Sequence, residues 1–541
     1  MKAWQIATAN NLEPDDFPGI SPLLLQLLHN RGLDTPGLIK EFFSPPAYHD
    51  PFLFRDMAAA VDLIIQHIKA GDKMTVYGDY DADGVTSSVV LLEALQVLHG
   101  QAEVYLPDRV SEGYGLNKPA IDAIAAVGSR LIITVDNGIR NKEEVAYARS
   151  LGLDVIVTDH HVLPEHREDM PDCPVIDPAD PEDNYPWRYL AGVGVAFKLV
   201  SALLAKANLP DSQKQLIKER SLDLVAVGTV SDMVSLLGEN RALVRDGLRL
   251  LNKGKRLGLV ELAHSAKANG NRPLQAWNIG WQLGPRLNAA SRLAHANTAF
   301  ALLTAGNPVD AKELAAELNR RNCERQDITA RMMAEVEEQI DKDNLPLVII
   351  GVAKPGQEWN EGVVGLVAGR ITEKYYRPSL VIARIANDSE EGGVQFKGSG
   401  RSVEEFNLIE AVEAGNSFLH KYGGHPMACG FSIKDEESLG RFKEIIVQEA
   451  SKRLDASRLV PKLKIEAELP FADISLSLAE EIDQLAPFGQ NNPEPRLASY
   501  GLRIDDIVTM GADNQHIKFR LTQPGGDAKA YWALAFGAAA E

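Results

Sequence analysis

The chain has three cysteines in 541 residues, Cys173, Cys323 and Cys429, each about a hundred residues or more from the next. They form no CxxC pair for zinc and no even set for a disulfide framework, so a secreted, disulfide-stapled scaffold is excluded and a reducing cytoplasm is expected. No apolar run approaches the roughly 18 residues of a membrane span. The opening MKAWQIATANNLEPDDF is polar and acidic where a secretory signal is basic and then apolar, so a cytoplasmic protein with no membrane association is expected. Positive charge is also short. The 56 Lys and Arg against 75 Asp and Glu leave a formal −19, so the whole chain repels polyphosphate and any nucleic-acid contact needs a local basic surface. No G-x-S-x-G elbow and no Walker A loop occur, which leaves serine-hydrolase and P-loop NTPase chemistry without a motif. Internal repeats and low-complexity tracts are missing as well. What is present is an ordinary globular composition, 45% hydrophobic and 24% charged, in a chain long enough for roughly three to four domains.

The first residues carry one helical pattern, SPLLLQLLHNRGL, with Ser21 as N-cap and Pro22 at the first helical position. They read as an extension packed on the next domain. From Lys73 short apolar runs (MTVYGD, AEVYLP, LIITVD, LDVIVTD) alternate with helical segments, the signature of βαβ units and a parallel sheet covered on both faces. A second α/β segment starts at LPLVIIGVA. Between the two, residues 310–343 keep a helical pattern without glycine or proline and read as a strut. After about residue 455 short strand-like runs and turn signals suggest a small β-barrel. The expected domains are 1–60, an N-terminal helical extension; 61–255, the catalytic domain; 256–343, a basic region and interdomain helix; 344–454, a nucleic-acid-binding domain; and 455–541, the barrel.

In an open parallel sheet, ligands bind beyond the carboxyl ends of the strands. Three successive runs end there in carboxylates: Asp79, Asp81 and Asp83 after MTVYG, Asp136 after LIITV, and Asp159-His160-His161 after LDVIVT. One such aspartate is most simply an N-cap or a turn residue. Three strand ends in register are a site, because clustered carboxylates repel unless something cationic neutralises them. Carboxylates with an imidazole suit manganese or magnesium better than zinc.

VYGDYDADG, TVDNG, TDHH and DLVAVGTVSDMV resemble the four phosphoesterase motifs of the DHH superfamily, and FLHKYGGHPMACGF resembles its associated second domain, DHHA1. Motif order, spacing and the run GPRLNAASRL are similar to the RecJ group, single-strand-specific 5′ to 3′ DNA exonucleases. The resemblance implies two divalent ions, Mn2+ or Mg2+, held by Asp81, Asp83, Asp136, His160 and Asp232, with Asp136 as bridge. It makes Asp79 a further ligand or a partner of one. His161 is expected to contact the phosphate under attack or its leaving oxygen, and Asp159 to complete a catalytic set with Asp136 and His161. In an apolar helical context Asp232 alone would read as a buried, paired aspartate. The chemistry implied is in-line hydrolysis of a phosphodiester without a protein nucleophile.

Residues 241–292 hold ten Arg and Lys against two acids, Asp246 and Glu261. This stretch is expected to floor a channel where Arg286, Asn288 and Arg292 meet phosphates, with Arg370 nearby in the second domain. The resemblance places Arg109, Ser399 and Arg401 around a terminal 5′ phosphate, and the glycine-rich Gly423-Gly424-His425 is expected to approach the backbone. The last module resembles an oligonucleotide-binding (OB) barrel; Asn491 stands where the family has glycine, and the barrel is expected to be incomplete. Single-stranded DNA is the expected substrate of a monomer, with a single-strand-binding protein and a helicase as partners implied by the resemblance. Alternatives are a small-nucleotide or oligoribonucleotide phosphoesterase of the same superfamily and a non-catalytic DNA-binding scaffold.

Overall fold

A computed structural model describes the chain except residues 1, 45–47, 269, 271, 388–392, 512, 526–528 and 540–541. Residues 47–460 form one unit, and residues 1–46 with 461–541 form another.

In the larger unit α1 (Met57–Ala70) precedes a five-stranded sheet built from β1 (Lys73–Gly78), β2 (Gln101–Tyr105), β3 (Ser129–Val135), β4 (Asp154–Thr158) and β5 (Val175–Ile176). The spatial order is β2-β1-β3-β4-β5, every pair parallel. Successive strand residues point to opposite faces. Leu131, Ile133 and Val135 of β3 enter one core cluster, while Ile132 enters the other. Both faces are therefore covered, as the unbroken apolar runs require. α2 (Ala82–Val97), α5 (Gly192–Lys206) and α6 (Asp211–Ser231) cover one face; α3 (Lys118–Ala126) and α4 (Lys142–Ser150) cover the other. The strand order reverses between β1 and β3, which places a switch-point crevice at Asp79–Asp83 and Asp136.

The expected strut is α8 (Pro308–Glu337), which follows α7 (Gly284–Leu293). Its N-cap Asn307 accepts from the N–H groups of Val309 and Asp310. At 1.5 Å per residue its 30 residues run about 45 Å. The second sheet contains β6 (Ile349–Val352), β7 (Ser379–Asn387), β8 (Gly393–Arg401), β9 (Leu419–His425) and β10 (Ala428–Ile433), in the order β9-β10-β8-β7-β6. Only β6 and β7 pair in parallel among these. Helix α9 (Val364–Tyr375) packs its Val367, Ala368 and Ile371 on this sheet and on Met332 and Val336 of the strut.

The smaller unit departs from the sequence reading. Residues 1–46, expected as an extension on the neighbouring domain, associate with the C-terminal segment: strand Ala3–Ile6 pairs in parallel with Lys462–Ile465. Ser21 does cap the helix Pro22–His29, accepting from the Leu24 N–H at 3.2 Å. Buried Arg31 joins the two segments through Glu466 at 2.6 Å and Asn492 at 2.7 Å. Among the described residues the C-terminal strands form a three-stranded antiparallel sheet, Arg503–Met510, His516–Thr522 and Ala530–Ala535, and no closed barrel. Asn491 adopts φ +59°, the left-handed region that asparagine tolerates better than other non-glycine residues, which explains how it replaces a glycine.

Candidate active site

The crevice is built by backbone geometry before any side chain acts. Asp81 caps α2, its Oδ1 accepting from the N–H groups of Asp83 (2.8 Å) and Gly84 (3.1 Å). Asp83 is held by the N-terminus of α5, where Gly192 donates to Oδ2 at 2.7 Å and Val193 to Oδ1 at 3.0 Å. Asp136 sits at φ +65° at the end of β3, a conformation of order 1–3 kcal/mol above the ordinary wells that aims its carboxylate into the crevice. His160 Nε2 lies 3.0 Å from Asp136 Oδ1, 3.6 Å from Asp232 Oδ2 and 3.8 Å from Asp83 Oδ2. Asp232, at the C-cap of α6, is thus part of the cluster despite its apolar sequence context.

Donor atoms within 4.8 Å of one another fall into three overlapping groups: Asp79, Asp81 and Asp136; Asp83, His160 and Asp232; and Asp136, His160 and His161. Burial, reinforced by the neighbouring carboxylates, raises the Asp79, Asp136 and Asp232 pKa values well above the usual carboxylate range and pushes Asp83 up to about 7. Burial beside His161 lowers His160 to about 4, so it is a neutral imidazole fit to ligate. Asp79 Oδ1 is buried without a hydrogen-bond partner. Carboxylate oxygens, one neutral imidazole and an orphaned buried oxygen fit hard divalent cations of the Mg2+ or Mn2+ type.

Asp159 has a different place from the one expected. Its Oδ1 accepts from the backbone N–H of His160 (2.7 Å) and lies 2.7 Å from His161 Nδ1, while Oδ2 accepts from the Ile139 N–H at 2.9 Å. Fully buried and saturated, it positions the histidines rather than facing a substrate. Burial opposes charge on His161, but the Asp159 hydrogen bond and surrounding carboxylates outweigh it and push the imidazole up to about 9. Nδ1 is taken, which leaves Nε2 for a substrate. Tyr114 Oη lies 3.0 Å from the same Nδ1 and was not foreseen.

Three glycines make room for the cluster. A Cβ on Gly84 would lie 2.6 Å from Asp79 Cα, on Gly192 2.6 Å from Asp136 Cβ, and on Gly228 2.7 Å from Asp83 Oδ1. The runs AGVGV and AVGTVSD carry Gly192 and Gly228 within helical patterns, where glycine costs stability and signals close approach.

A cleft of about 440 Å³ is lined by Arg109, Arg292, Ser399, Arg401, Lys397, Lys421 and Gly423, with Glu361 as its one acid. Glu361 is paired to Lys397 at 2.6 Å. Burial, with Arg109 and Arg325 close by, lowers the Arg292 pKa, and its Nε is buried without a partner. Guanidinium groups gathered this way need an anion. Ser399 donates to the Cys429 carbonyl (3.0 Å) and accepts from Arg401 (3.1 Å), fixing the guanidinium. The structure therefore brings Arg109, Ser399 and Arg401 together and adds Arg292, which the sequence reading had placed with Arg286.

The expected channel floor is rearranged. Asn288 Oδ1 accepts from the Ala82 N–H at 2.7 Å, so it braces the aspartate loop. Arg286 donates to Asn319 (3.0 Å) and the Gln282 carbonyl (2.7 Å), and with Arg370 it surrounds Arg325, a strut residue the sequence reading missed. Arg256 is spent inside the fold on Glu93 (2.8 Å) and Asp223 (3.2 Å). Gly424, at φ +147°, has no space for a Cβ against the Ala428 carbonyl, and His425 receives the Met427 N–H at 3.3 Å, so both shape the β9–β10 hairpin.

The 2-1-3-4-5 parallel sheet with a carboxylate–imidazole cluster at its switch point defines a DHH-type phosphoesterase domain. Family models agree: the DHH family N-terminal domain matches residues 73–229, the DHHA1 domain 344–452 and the RecJ OB domain 465–541. The chain is 36% identical over 531 residues to the single-stranded-DNA-specific exonuclease RecJ of Escherichia coli, covering 95% of this chain and 89% of that protein. It is 39% identical over 508 residues to RecJ of Bacillus subtilis, covering 93% of this chain and 62% of that longer protein. The crystal structure of RecJ with Mn2+ from Thermus thermophilus superimposes at TM-score 0.80 and 28% identity, over 99% of this chain and 78% of the other. The chain belongs to the RecJ family.

Proposed function

We propose that the chain is a metal-dependent exonuclease that hydrolyses single-stranded DNA from its 5′ end and releases 5′-mononucleotides. The observation that carries this reading is the pairing of a hydrolytic cluster with a cationic cleft in one unit. Asp79, Asp81 and Asp136 would hold one ion and Asp83, His160 and Asp232 the other, with Asp136 reaching both. Two bound divalent cations supply Lewis acidity toward water and the phosphate. Arg109, Arg292, Ser399 and Arg401 seat the terminal phosphate. His161, kept charged by Asp159, hydrogen-bonds the scissile phosphate or gives a proton to the departing O3′. The bond broken is the one between that O3′ and the next phosphorus, so each turnover leaves a new 5′ phosphate for the same cleft. The opposite polarity would leave a 3′ phosphate or hydroxyl and no use for such a pocket.

The family relationship supports action as a monomer in the cytoplasm alongside a single-strand-binding protein and a helicase. Size-exclusion chromatography and pull-down with each partner test that extension. For the chemistry, purified protein with Mn2+ should release mononucleotides from single-stranded DNA, and Asp136→Ala should stop release while retaining DNA binding. Turnover by Asp136→Ala at the wild-type rate would overturn the assignment. Equal or better hydrolysis of short oligoribonucleotides would favour the small-substrate alternative.

A further inference from the structure

Two tryptophans lie on the surface beside the cluster, and the proposed chemistry does not use them. Trp277 is 57% and Trp281 72% exposed, a wide display of the largest aromatic side chain. They lie four residues apart where the helix widens into a π turn, Ile279–Leu283, just before α7. Such turns are rare and collect at functional sites. Their position next to the cluster is fixed by packing. Ala276 is buried with Leu236 and Val244 against Val230, and a Cβ on Gly280 would touch Val230 at 3.7 Å. Gly284 packs so tightly on Ser231 that a Cβ would lie 2.5 Å from its Oγ. Val230 and Ser231 directly precede Asp232. The segment therefore docks on the chain that delivers a member of the cluster. Met233, on the other side of Asp232, is 70% exposed.

We propose that Trp277 and Trp281 form a stacking platform for bases of the single strand that extends from the cleaved phosphate. This rests on the nuclease reading above and names how that site would hold the rest of its substrate. Charge selects the occupant. Exposed Arg245, Arg249, Lys253, Lys255, Lys267 and Arg272 share residues 241–292 with both tryptophans, against two half-buried acids, Asp246 and Glu261, within a chain of net −19. A neutral or basic protein partner has no need of that excess, and an acidic one would leave the aromatic faces unused, whereas a polyanion with exposed π faces fits both features. Every base offers a π face, so the platform would hold DNA without reading sequence.

Replacing both tryptophans with alanine should raise KM for a 20-nucleotide strand by about tenfold or more per lost stack, removing its advantage over a trinucleotide. Replacement by phenylalanine should restore most of it. A 20-mer with abasic sites beyond the third nucleotide should be a poor substrate for the wild type and no worse than an intact strand for the alanine variant. A merely structural role for these residues would not produce that pattern. Metal-free wild-type protein should also show tryptophan quenching on adding the intact 20-mer and little with the abasic one. If the alanine variant keeps the wild-type ratio of 20-mer to trinucleotide KM and the same abasic sensitivity, the platform is wrong. If the wild type itself releases no mononucleotides, the nuclease reading fails and the platform with it.

Discussion

Replacing Gly192 with alanine changes no donor atom and yet should disable the cluster. Gly192 opens α5, and its N–H holds Asp83 Oδ2 at 2.7 Å. A Cβ there would lie 2.6 Å from Asp136 Cβ and 2.7 Å from Asp136 Oδ1, well inside van der Waals contact. Asp136 has little freedom to retreat, because its backbone is fixed at φ +65° and its carboxylate lies 3.0 Å from His160. Overpacking of this kind costs about 1–3 kcal/mol, and the better helix propensity of alanine returns about 0.5–1 kcal/mol, so the fold loses at most about 2.5 kcal/mol and should survive. Metal affinity should suffer more, since displacing a ligand's support weakens binding on the order of 10- to 100-fold. Titrating Mn2+ by calorimetry and following hydrolysis against Mn2+ concentration measures both. Gly194→Ala is the control. Gly194 lies in the same helix, and its Cβ would meet only the Leu190 side chain, at 3.3–3.7 Å, so the variant should behave as wild type. Wild-type Mn2+ affinity in Gly192→Ala would refute the steric argument and the placement of Asp136 in the metal site.

Asp232→Asn should lower turnover on the order of 100- to 1000-fold, measured at saturating Mn2+, while melting near the wild-type temperature. Arg401→Ala should erase a preference for 5′-phosphorylated over 5′-hydroxyl strands of about tenfold or more, read as the ratio of kcat/KM, because one charge-assisted contact is worth roughly 1.5–3 kcal/mol. Without metal, stability should fall as pH rises between about 4 and 7. Asp83 holds its proton to about 7 when folded, so the folded state binds more protons than the unfolded one in that window, and ionising it inside the cluster is destabilising. Thermal melts in EDTA should show this slope, and saturating Mn2+ should flatten or reverse it.

The strand ends were legible because a buried parallel sheet writes its strands as unbroken apolar runs, and the residue after each run must face the crevice. Asp79, Asp81, Asp83, Asp136 and His160 follow from that rule alone. Asp232 does not, since it ends a helix whose register against the sheet is set by long-range packing; only the family motif reached it. Asp159 was misplaced for a related reason. A carboxylate at a strand end can face the crevice or turn back on its own loop, and the choice depends on the Ile139 N–H, twenty residues away in sequence. The basic segment shows the same limit: counting charges did not reveal that Arg256 is buried in an ion-pair network, that Asn288 braces a loop, or that Arg292 faces the cleft with Arg109. Residues 1–60 read as an extension on the domain that follows them, whereas a four-residue parallel strand pair joins Ala3–Ile6 to a segment more than 400 residues on.

The most direct test of the account is a single strand with different labels on its two ends, 5′-phosphorylated and incubated with Mn2+, beside the same sequence in blunt duplex. The 5′ label should appear as a mononucleotide in the first turnovers while the 3′ label remains on progressively shorter strands, and the duplex should stay intact. Release of the 3′ label first, internal cuts, or equal digestion of the duplex would contradict a single-strand exonuclease anchored on its terminal 5′ phosphate.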